Sequence, residues 1–286
     1  LKKLLNGPES FTPDDNFLMG ESPELRGFYL GCGMCSVGIA CGGGAGRALA
    51  EWVIEGEPSM DLWTVDIRRF AKVHNSIKTL RERSPETLSL HYAISFPGRQ
   101  YKTARNLRLS PLHSRLEKAG AVFSSQMGWE RPWWFNPKGI STHPELSFEK
   151  PGWFLLHAQE HEAARKNVVL IDQSTFGKLI VKGRDSEKFL QRVCANDISS
   201  AHDKVVYTPM LNAHGGYESD LTIMGLDDDS FLLITGTGQP VRDYNWICSK
   251  IKSEEFVSVT DITGDYAVIS VAGPNSRKLL SLASPD

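Results

Sequence analysis

The chain has 286 residues, 41% of them apolar and 23% charged, with a formal net charge of -2. That is enough for about two domains and a substantial core, and the balance argues against a polyanion-binding surface, so no nucleic-acid partner is expected. No apolar run approaches the ~18 residues of a membrane span, so no membrane partner is expected either; five cysteines in three clusters do not have the pattern of a secreted disulfide framework.

In chain order, Thr12-Pro13-Asp14-Asp15 carries turn chemistry. Phe28-Tyr29-Leu30 is strand-like and runs into Gly31-Cys32-Gly33-Met34-Cys35-Ser36-Val37-Gly38-Ile39-Ala40-Cys41-Gly42-Gly43-Gly44-Ala45-Gly46. Beyond it, Leu49, Val53 and Ile54 recur at helical spacing, so the stretch reads as strand, glycine-rich turn, helix. Glycines let a backbone approach a ligand closely, and the free N–H groups of a helix start can receive an anionic or carbonyl oxygen. The spacing departs from the G-x-G-x-x-G phosphate fingerprint, and no acidic residue follows at ~20 positions in a matching unit. Two readings stay open: a ligand-facing helix start, and a helix packed tightly on a sheet. Cys32-Gly33-Met34-Cys35 is formally C-x-x-C, but a thioredoxin-like context is missing, and two small buried side chains are expected rather than a redox dithiol.

Ile77 to Leu90 reads as a helix with charges on one face, broken by Pro97-Gly98. Ser110-Pro111-Leu112-His113 opens a short helix, with Ser as cap and Pro in the first turn. Ala121-Val122-Phe123 is a strand, and Gly128 to Phe135 sets four aromatics around an ion pair, a pattern of either a ligand wall or a packed linker. His157-Ala158-Gln159-Glu160-His161 fits the H-x-x-E-H metal pattern. No third ligand follows, so no metal is expected, and Glu160 to Asp172 reads as a surface helix running into the strand Val168 to Asp172.

From Phe176 the pattern is regular. Leu179 to Val181 is a strand, Lys182 to Asp185 a turn and Ser186 to Val193 a helix. Val205 to Asn212 and Tyr217 to Ile223 form a β-hairpin around Ala213-His214-Gly215-Gly216. Phe231 to Thr235 is a further strand, Val241 to Ile251 a helix with Trp246 and Ile247 inward, and Tyr266 to Val271 a last strand before Ala272-Gly273-Pro274. If Leu221 and Ile223 face the core, Asp220 and Thr222 face a cleft or solvent.

Gly7 to Asp14, Leu18-Met19-Gly20, the glycine-rich segment, Gly56-Glu57-Pro58 and Asp66 to Phe70 together resemble the end of the flavin domain of mitochondrial dimethylglycine and sarcosine dehydrogenases. Tyr207-Thr208-Pro209-Met210-Leu211-Asn212-Ala213-His214-Gly215-Gly216, the following Asp220 and Val271-Ala272-Gly273-Pro274 resemble the folate-binding domain of the glycine-cleavage T-protein. The resemblance covers the whole chain and implies a mixed α+β and α/β fold in three parts. These are the C-terminal part of a glycine-oxidase-like FAD domain (1–70), a connector (71–150) and the first half of a T-protein-like folate-binding domain (151–286). It implies an internal fragment, because the ADP-binding fingerprint of such enzymes is absent.

By the same resemblance, Gly33, Met34, Cys35, Ser36, Val37 and Gly38 cap the pyrimidine edge of FAD. A helix N-terminus favours that electron-rich edge by roughly 0.3–1 kcal/mol per charge contact. Tyr207, Met210, Asn212, Glu218, Asp220 and Thr235 contact tetrahydrofolate, with Asp220 as the catalytic carboxylate that manages protons at the folate nitrogens. The implied activity is oxidative demethylation of a small N-methyl amine, dimethylglycine or sarcosine, with the one-carbon unit passed to tetrahydrofolate. Electron-transfer flavoprotein is the implied partner and the mitochondrial matrix the implied location. One departure stands out: Cys35 occupies a position where this family's segment usually has Asn, and a thiol lacks an amide's strong donors. That departure fits a second outcome, a non-catalytic paralogue similar to the pyruvate dehydrogenase phosphatase regulatory subunit.

Overall fold

In the computed structural model, residues 2–4, 6–140 and 146–284 are described. The outer ends of the first and third expected parts, and 141–145 of the expected connector, lie outside the described residues. The first elements are a short antiparallel hairpin, β1 (Leu18–Glu21) and β2 (Tyr29–Cys32), with Leu18 opposite Cys32. Helix α1 (Gly38–Glu55) packs on it through Ala48 and Trp52, which are 5% and 3% exposed. Gly20 makes this contact possible: at φ 105° its missing Cβ would lie 2.4 Å from the Trp52 ring, so any side chain there displaces the indole. Two expectations need correction. Gly42, Gly43, Gly44 and Gly46 lie inside the helix rather than in a turn, and Val53 and Ile54 point outward while Trp52 points in. The inward stripe is Ala45, Ala48, Leu49 and Trp52, which is the i, i+3, i+4, i+7 face of one helix.

The chain then returns beside β1, where the Met19 N–H donates to the Val65 carbonyl at 2.8 Å. Asp66 caps a 3₁₀ turn over Ile67–Arg69. Arg69, 7% exposed, donates to both Asp14 carboxylate oxygens at 2.6 and 2.9 Å and to the Asn16 carbonyl at 2.8 Å. The turn at Thr12–Asp15 is thus fastened from the inside. Helix α2 (Ile77–Leu90) starts at the Ser76 cap, whose hydroxyl accepts from Thr79 N–H at 3.1 Å, and it reaches the same turn through Thr87 Oγ1, which donates to the Pro13 carbonyl at 3.3 Å.

Short helix α3 (His113–Lys118) leads into a second hairpin, β3 (Ala121–Gln126) and β4 (Trp129–Phe135), closed by Met127 and Gly128 at φ 51° and 77°. Positive φ at both turn positions matches the twist of a tight hairpin. The four aromatics are therefore strand residues. Trp129 and Trp134 are buried, and Trp133 packs against Trp153 at 5.3 Å between ring centroids. That contact also explains why α4 (Phe154–Lys166) begins well before Glu160, where the sequence pattern placed its start. Glu160 itself faces inward and accepts the Phe135 N–H at 2.8 Å.

Strand β5 (Val169–Asp172) pairs antiparallel with β11 (Ile269–Ala272), which precedes α7 (Ser276–Ala283). Between them lies a five-stranded antiparallel sheet. Its members are β6 (Gly177–Lys182), β7 (Val206–Leu211), β8 (Tyr217–Asp227), β9 (Ser230–Thr235) and β10 (Ser258–Asp261), in the order β10-β6-β9-β8-β7. Helices α5 (Ser186–Val193) and α6 (Pro240–Ser249) cover one face. There Leu179, Phe189, Leu190, Ile223, Phe231, Leu233 and Ile247 are fully buried in one cluster. The architecture is mixed α/β, as expected. The opposite face carries a cross-strand row, Lys178, Ile234, Thr222 and Tyr207, set by the pairings Lys178↔Ile234, Thr222↔Ile234 and Tyr207↔Thr222.

Candidate functional site

Two groups of residues stand at opposite ends of α1. At its start, Gly33, Cys35 and Ser36 have φ of 65°, 44° and 66°. Two successive non-glycine residues there cost of order 1–3 kcal/mol each and persist only when their surroundings hold them. The holding group is the Cys35 thiol, 1% exposed. It accepts Thr12 N–H at 3.5 Å and donates to the Gly33 carbonyl at 3.1 Å, while Cys35 N–H donates to the Ser10 carbonyl at 3.1 Å. Met34 accepts Val37 N–H at 2.9 Å, and Ser36 Oγ donates to exposed Glu9 at 2.5 Å. No side chain caps α1 and its first turn holds no acid. The N–H groups of Gly38, Ile39 and Ala40 in the first turn thus have no side-chain cap, and the chemistry of this donor set fits an electron-rich carbonyl edge such as a flavin pyrimidine.

Of the two cysteines expected to be buried, Cys35 is buried and Cys32 is not. Cys32 is exposed because the end of β2 has no cover. The Cys35 side chain faces into the loop and its backbone N–H is taken by the Ser10 carbonyl, so neither the thiol nor that N–H is offered to a ligand. Alkylation of the native protein is expected to label Cys32 and to spare Cys35 and Cys194, whose thiol burial pushes up to about 12. Peptide mapping by mass spectrometry checks this; equal native labelling of Cys32 and Cys35 would contradict the inward thiol.

The second group lies on the hairpin of β7 and β8. Tyr207 Oη donates to Asp220 Oδ2 at 2.8 Å, and that bond to the carboxylate raises the phenol's pKa. Both side chains stand on the sheet face opposite the core. Asn212 is a staple for the turn: its Oδ1 accepts from His214 N–H at 3.0 Å and Gly216 N–H at 2.8 Å. Glu218 is paired with Arg242 at 2.9 Å, and the Arg242 guanidinium lies over Trp63 at 5.3 Å. Glu57, just past the end of α1, accepts Ala213 N–H at 3.0 Å. The two groups therefore sit near opposite ends of an 18-residue helix, about 27 Å long at 1.5 Å per residue.

Met210 and Thr235, expected beside Asp220 at a ligand, are on the other side of the sheet. Met210 is 0% exposed within the core, and Thr235 is 2% exposed. Strand alternation is the cause: Met210 pairs with Ser219 and Thr235 with Leu221, both on the core face. Thr235 instead donates to Asp243 in the first turn of α6, and Ser219 Oγ donates to the same carboxylate at 2.8 Å.

Asp243 was not singled out in the sequence. It is 1% exposed, and burial pushes its carboxyl up from 3.8 to about 6. A folded-state pKa above the unfolded one means that ionisation favours the unfolded chain. This group's penalty is therefore absent below pH about 3.8 and complete above about 6, an expected loss of ~3 kcal/mol across that window. Asp243→Asn removes this slope, so the wild-type minus variant difference in unfolding free energy falls as pH rises. Urea unfolding across the window checks it; a difference that stays flat would contradict it. Lys178, 1% exposed with Nζ donating to the Ser174 carbonyl at 2.8 Å, is a second buried ionisable group, and burial lowers its pKa. His157 and His161 stack on each other at 4.7 Å along α4. Among the described residues, no three His, Cys, Asp or Glu side chains are grouped to hold a metal, and no helix is long and apolar enough to cross a membrane.

The GCVT N-terminal domain matches residues 112–286, and the FAD dependent oxidoreductase central domain matches 55–110. The chain is 41% identical over 284 residues to 4-methylaminobutanoate oxidase (formaldehyde-forming) of Paenarthrobacter nicotinovorans, covering 99% of this chain and 34% of that protein. It is 36% identical to the mitochondrial pyruvate dehydrogenase phosphatase regulatory subunit of Mus musculus (98% and 32%) and 35% identical to mitochondrial sarcosine dehydrogenase of Mus musculus (98% and 35%). The chain thus spans about a third of the length of the curated relatives it matches. Among solved structures, glycine cleavage system aminomethyltransferase T from Bartonella henselae superposes with a TM-score of 0.51 at 22% identity, over 62% of this chain and 43% of that one, which supports the fold. An FAD-dependent oxidoreductase segment followed by a folate-binding GCVT domain bears out, for the family, both expected cofactors, FAD and tetrahydrofolate. The chain belongs to the GCVT N-terminal domain family, joined here to the central domain of an FAD-dependent oxidoreductase.

Proposed function

We propose that the protein carrying this chain oxidatively demethylates a small N-methyl amino acid and passes the one-carbon unit to tetrahydrofolate. The observation that carries this reading is one chain holding an oxidoreductase segment and a GCVT domain, with the Tyr207–Asp220 pair on the open sheet face. FAD, when bound, supplies the hydride acceptor for the amine, and tetrahydrofolate supplies the nitrogens that capture the carbon. The residues of the chain do the rest. Cys35 N–H and Val37 N–H are taken by the Ser10 and Met34 carbonyls, so the other backbone N–H groups of the loop at 33–38, with those at the start of α1, hold and orient the flavin edge. Asp220, oriented by the Tyr207 hydroxyl, accepts the proton released when a folate amine forms its bond to carbon. Glu218, held by Arg242, and the Asn212 turn fix the hairpin that carries Asp220.

Dimethylglycine or sarcosine is the proposed substrate, and the likeness to a sarcosine dehydrogenase and a 4-methylaminobutanoate oxidase supports N-methyl amino acids as the class. Electrons leave through electron-transfer flavoprotein, and the proposed location is the mitochondrial matrix, in keeping with the mammalian relatives. A second reading, a non-catalytic regulatory paralogue, is favoured by the inward Cys35 thiol and by the 36% identity to the phosphatase regulatory subunit. Product analysis of the intact protein separates them. With an N-methyl amine, added tetrahydrofolate is expected to raise methylenetetrahydrofolate and lower free formaldehyde. A flavin-loaded protein forming neither product would leave only the regulatory reading.

A further inference from the structure

A cleft of about 280 Å³ opens between the turn at 13–14, the Arg69–His74 stretch, α2, and the β3–β4 turn. It shares no residue with the loop at 33–38 or with the hairpin of β7 and β8. Its lining includes Arg69, Arg83, Arg99 and Tyr101, together with Phe70 and Met127. The only carboxylate in the lining is Asp14, and both of its oxygens are taken by Arg69.

The other two arginines are held by neutral oxygens. Arg83 donates to the carbonyls of Thr103 at 2.5 Å and Ala104 at 3.4 Å and to Thr103 Oγ1 at 3.3 Å. The nearest carboxylate, Glu86, is 4.0 Å away and accepts from the backbone N–H groups of Lys102 and Thr103 at 2.7 and 2.8 Å. The Arg83 guanidinium also lies over the Tyr101 ring, 4.3 Å from its centroid. Arg99 donates to the Ile94 carbonyl at 2.9 Å. With five N–H donors per guanidinium, both keep donors for a further acceptor. His74 is also in the lining, and burial is the main cause that lowers its pKa, with a smaller contribution from Arg83.

Arg83 and Arg99 share this lining, and a guanidinium fork matches the geometry of a carboxylate or a phosphate. The apolar side chains of Phe70 and Met127 in the same lining favour an acid with a hydrocarbon body over a bare inorganic anion. We propose that this cleft binds a small aliphatic carboxylic acid, its carboxylate on Arg83 and Arg99 and its carbon chain on Phe70 and Met127. The proposal is independent of the flavin and folate reading, and binding can be read without turnover.

The test is calorimetric titration of the intact protein at low salt with succinate and, separately, with inorganic phosphate. Succinate is expected to bind at millimolar concentrations or below and more tightly than phosphate. Arg99→Gln is expected to weaken it at least tenfold, with Arg99→Lys restoring part of the loss. Met127→Glu, which places a carboxylate in the cleft without removing an arginine, is expected to abolish binding and covers the case in which Arg99→Gln fails to fold. The rate of amine oxidation is expected to be unchanged in folded variants. No succinate binding at millimolar concentration, binding unchanged in Arg99→Gln, or phosphate binding at least as tightly would each overturn the proposal.

Discussion

Asp220→Asn in the intact protein is expected to leave flavin reduction by the N-methyl amine near normal and to slow one-carbon transfer to tetrahydrofolate by 10²–10⁴-fold, the usual cost of losing a general base. The substitution keeps the side chain's shape and an oxygen for the Tyr207 hydroxyl, which now donates at 2.8 Å. It removes the charge and the proton acceptor. The turn of the hairpin that carries Asp220 is held by Glu57, just past the end of α1, while the loop at 33–38 lies at its start, so the proposed roles predict a loss confined to the folate step. Free formaldehyde rises as capture falls. Rapid-mixing measurement of flavin bleaching, with product analysis of the same samples, reads both steps. Abolished flavin reduction with intact folate capture would assign Asp220 the wrong role.

Glu130→Ala is expected to cost ~3–5 kcal/mol, the range for breaking a buried ion pair from one side. Glu130 is 2% exposed. Its carboxylate accepts Arg105 Nε and Asn106 N–H, each at 2.8 Å, and also takes Arg105 Nη2. Ala104 and Asn106 flank that arginine at φ 45° and 59°, so the carboxylate also holds a strained stretch in place. Removal leaves a guanidinium beside the core and orphans a backbone donor. Burial pushes the Glu130 carboxyl up, but Arg105 and the Asn106 N–H outweigh it and the net pKa is lowered. Its stabilisation is therefore present above the ordinary Glu range and fades as pH falls through the lowered value. Glu130→Gln, which keeps an acceptor, is expected to lose less. Chemical denaturation, with amide exchange at 104–106 as a local probe, measures the effect; a loss below about 1 kcal/mol would mean that the pair behaves as a surface contact.

Helix α2 and much of the second half were legible because local rules and tertiary structure agree there. Ser186 to Val193 and Ile77 to Leu90 are helices over the expected residues, and the hairpin around His214-Gly215-Gly216 has Leu221 and Ile223 buried and Asp220 turned to the opposite face. The same alternation, applied to β7 and β9, puts Met210 and Thr235 on the core face; family resemblance alone had grouped them with Asp220. In α1, two apolar stripes overlap, and periodicity cannot choose between Trp52 and the Val53–Ile54 pair. The choice is made by Gly20, 32 positions away, where a missing side chain admits the indole. The stretch from 99 to 135 was the least readable, because what orders it is long-range: Arg105 with Glu130, Arg83 with Thr103, and a Trp133–Trp153 contact. Asp243 was missed for a related reason: a first-turn carboxylate usually serves its helix end, and only the tertiary fold turns it onto Ser219 and Thr235.

The central claim is that the loop at 33–38 serves a flavin that is reduced by an N-methyl amino acid. Anaerobic titration of the intact, flavin-loaded protein with sarcosine, dimethylglycine and 4-methylaminobutanoate, followed by the flavin's visible absorbance, tests it most directly. Stoichiometric bleaching by at least one of the three is the expected result. A flavin that stays oxidised with all three, while dithionite still reduces it, would contradict the claim.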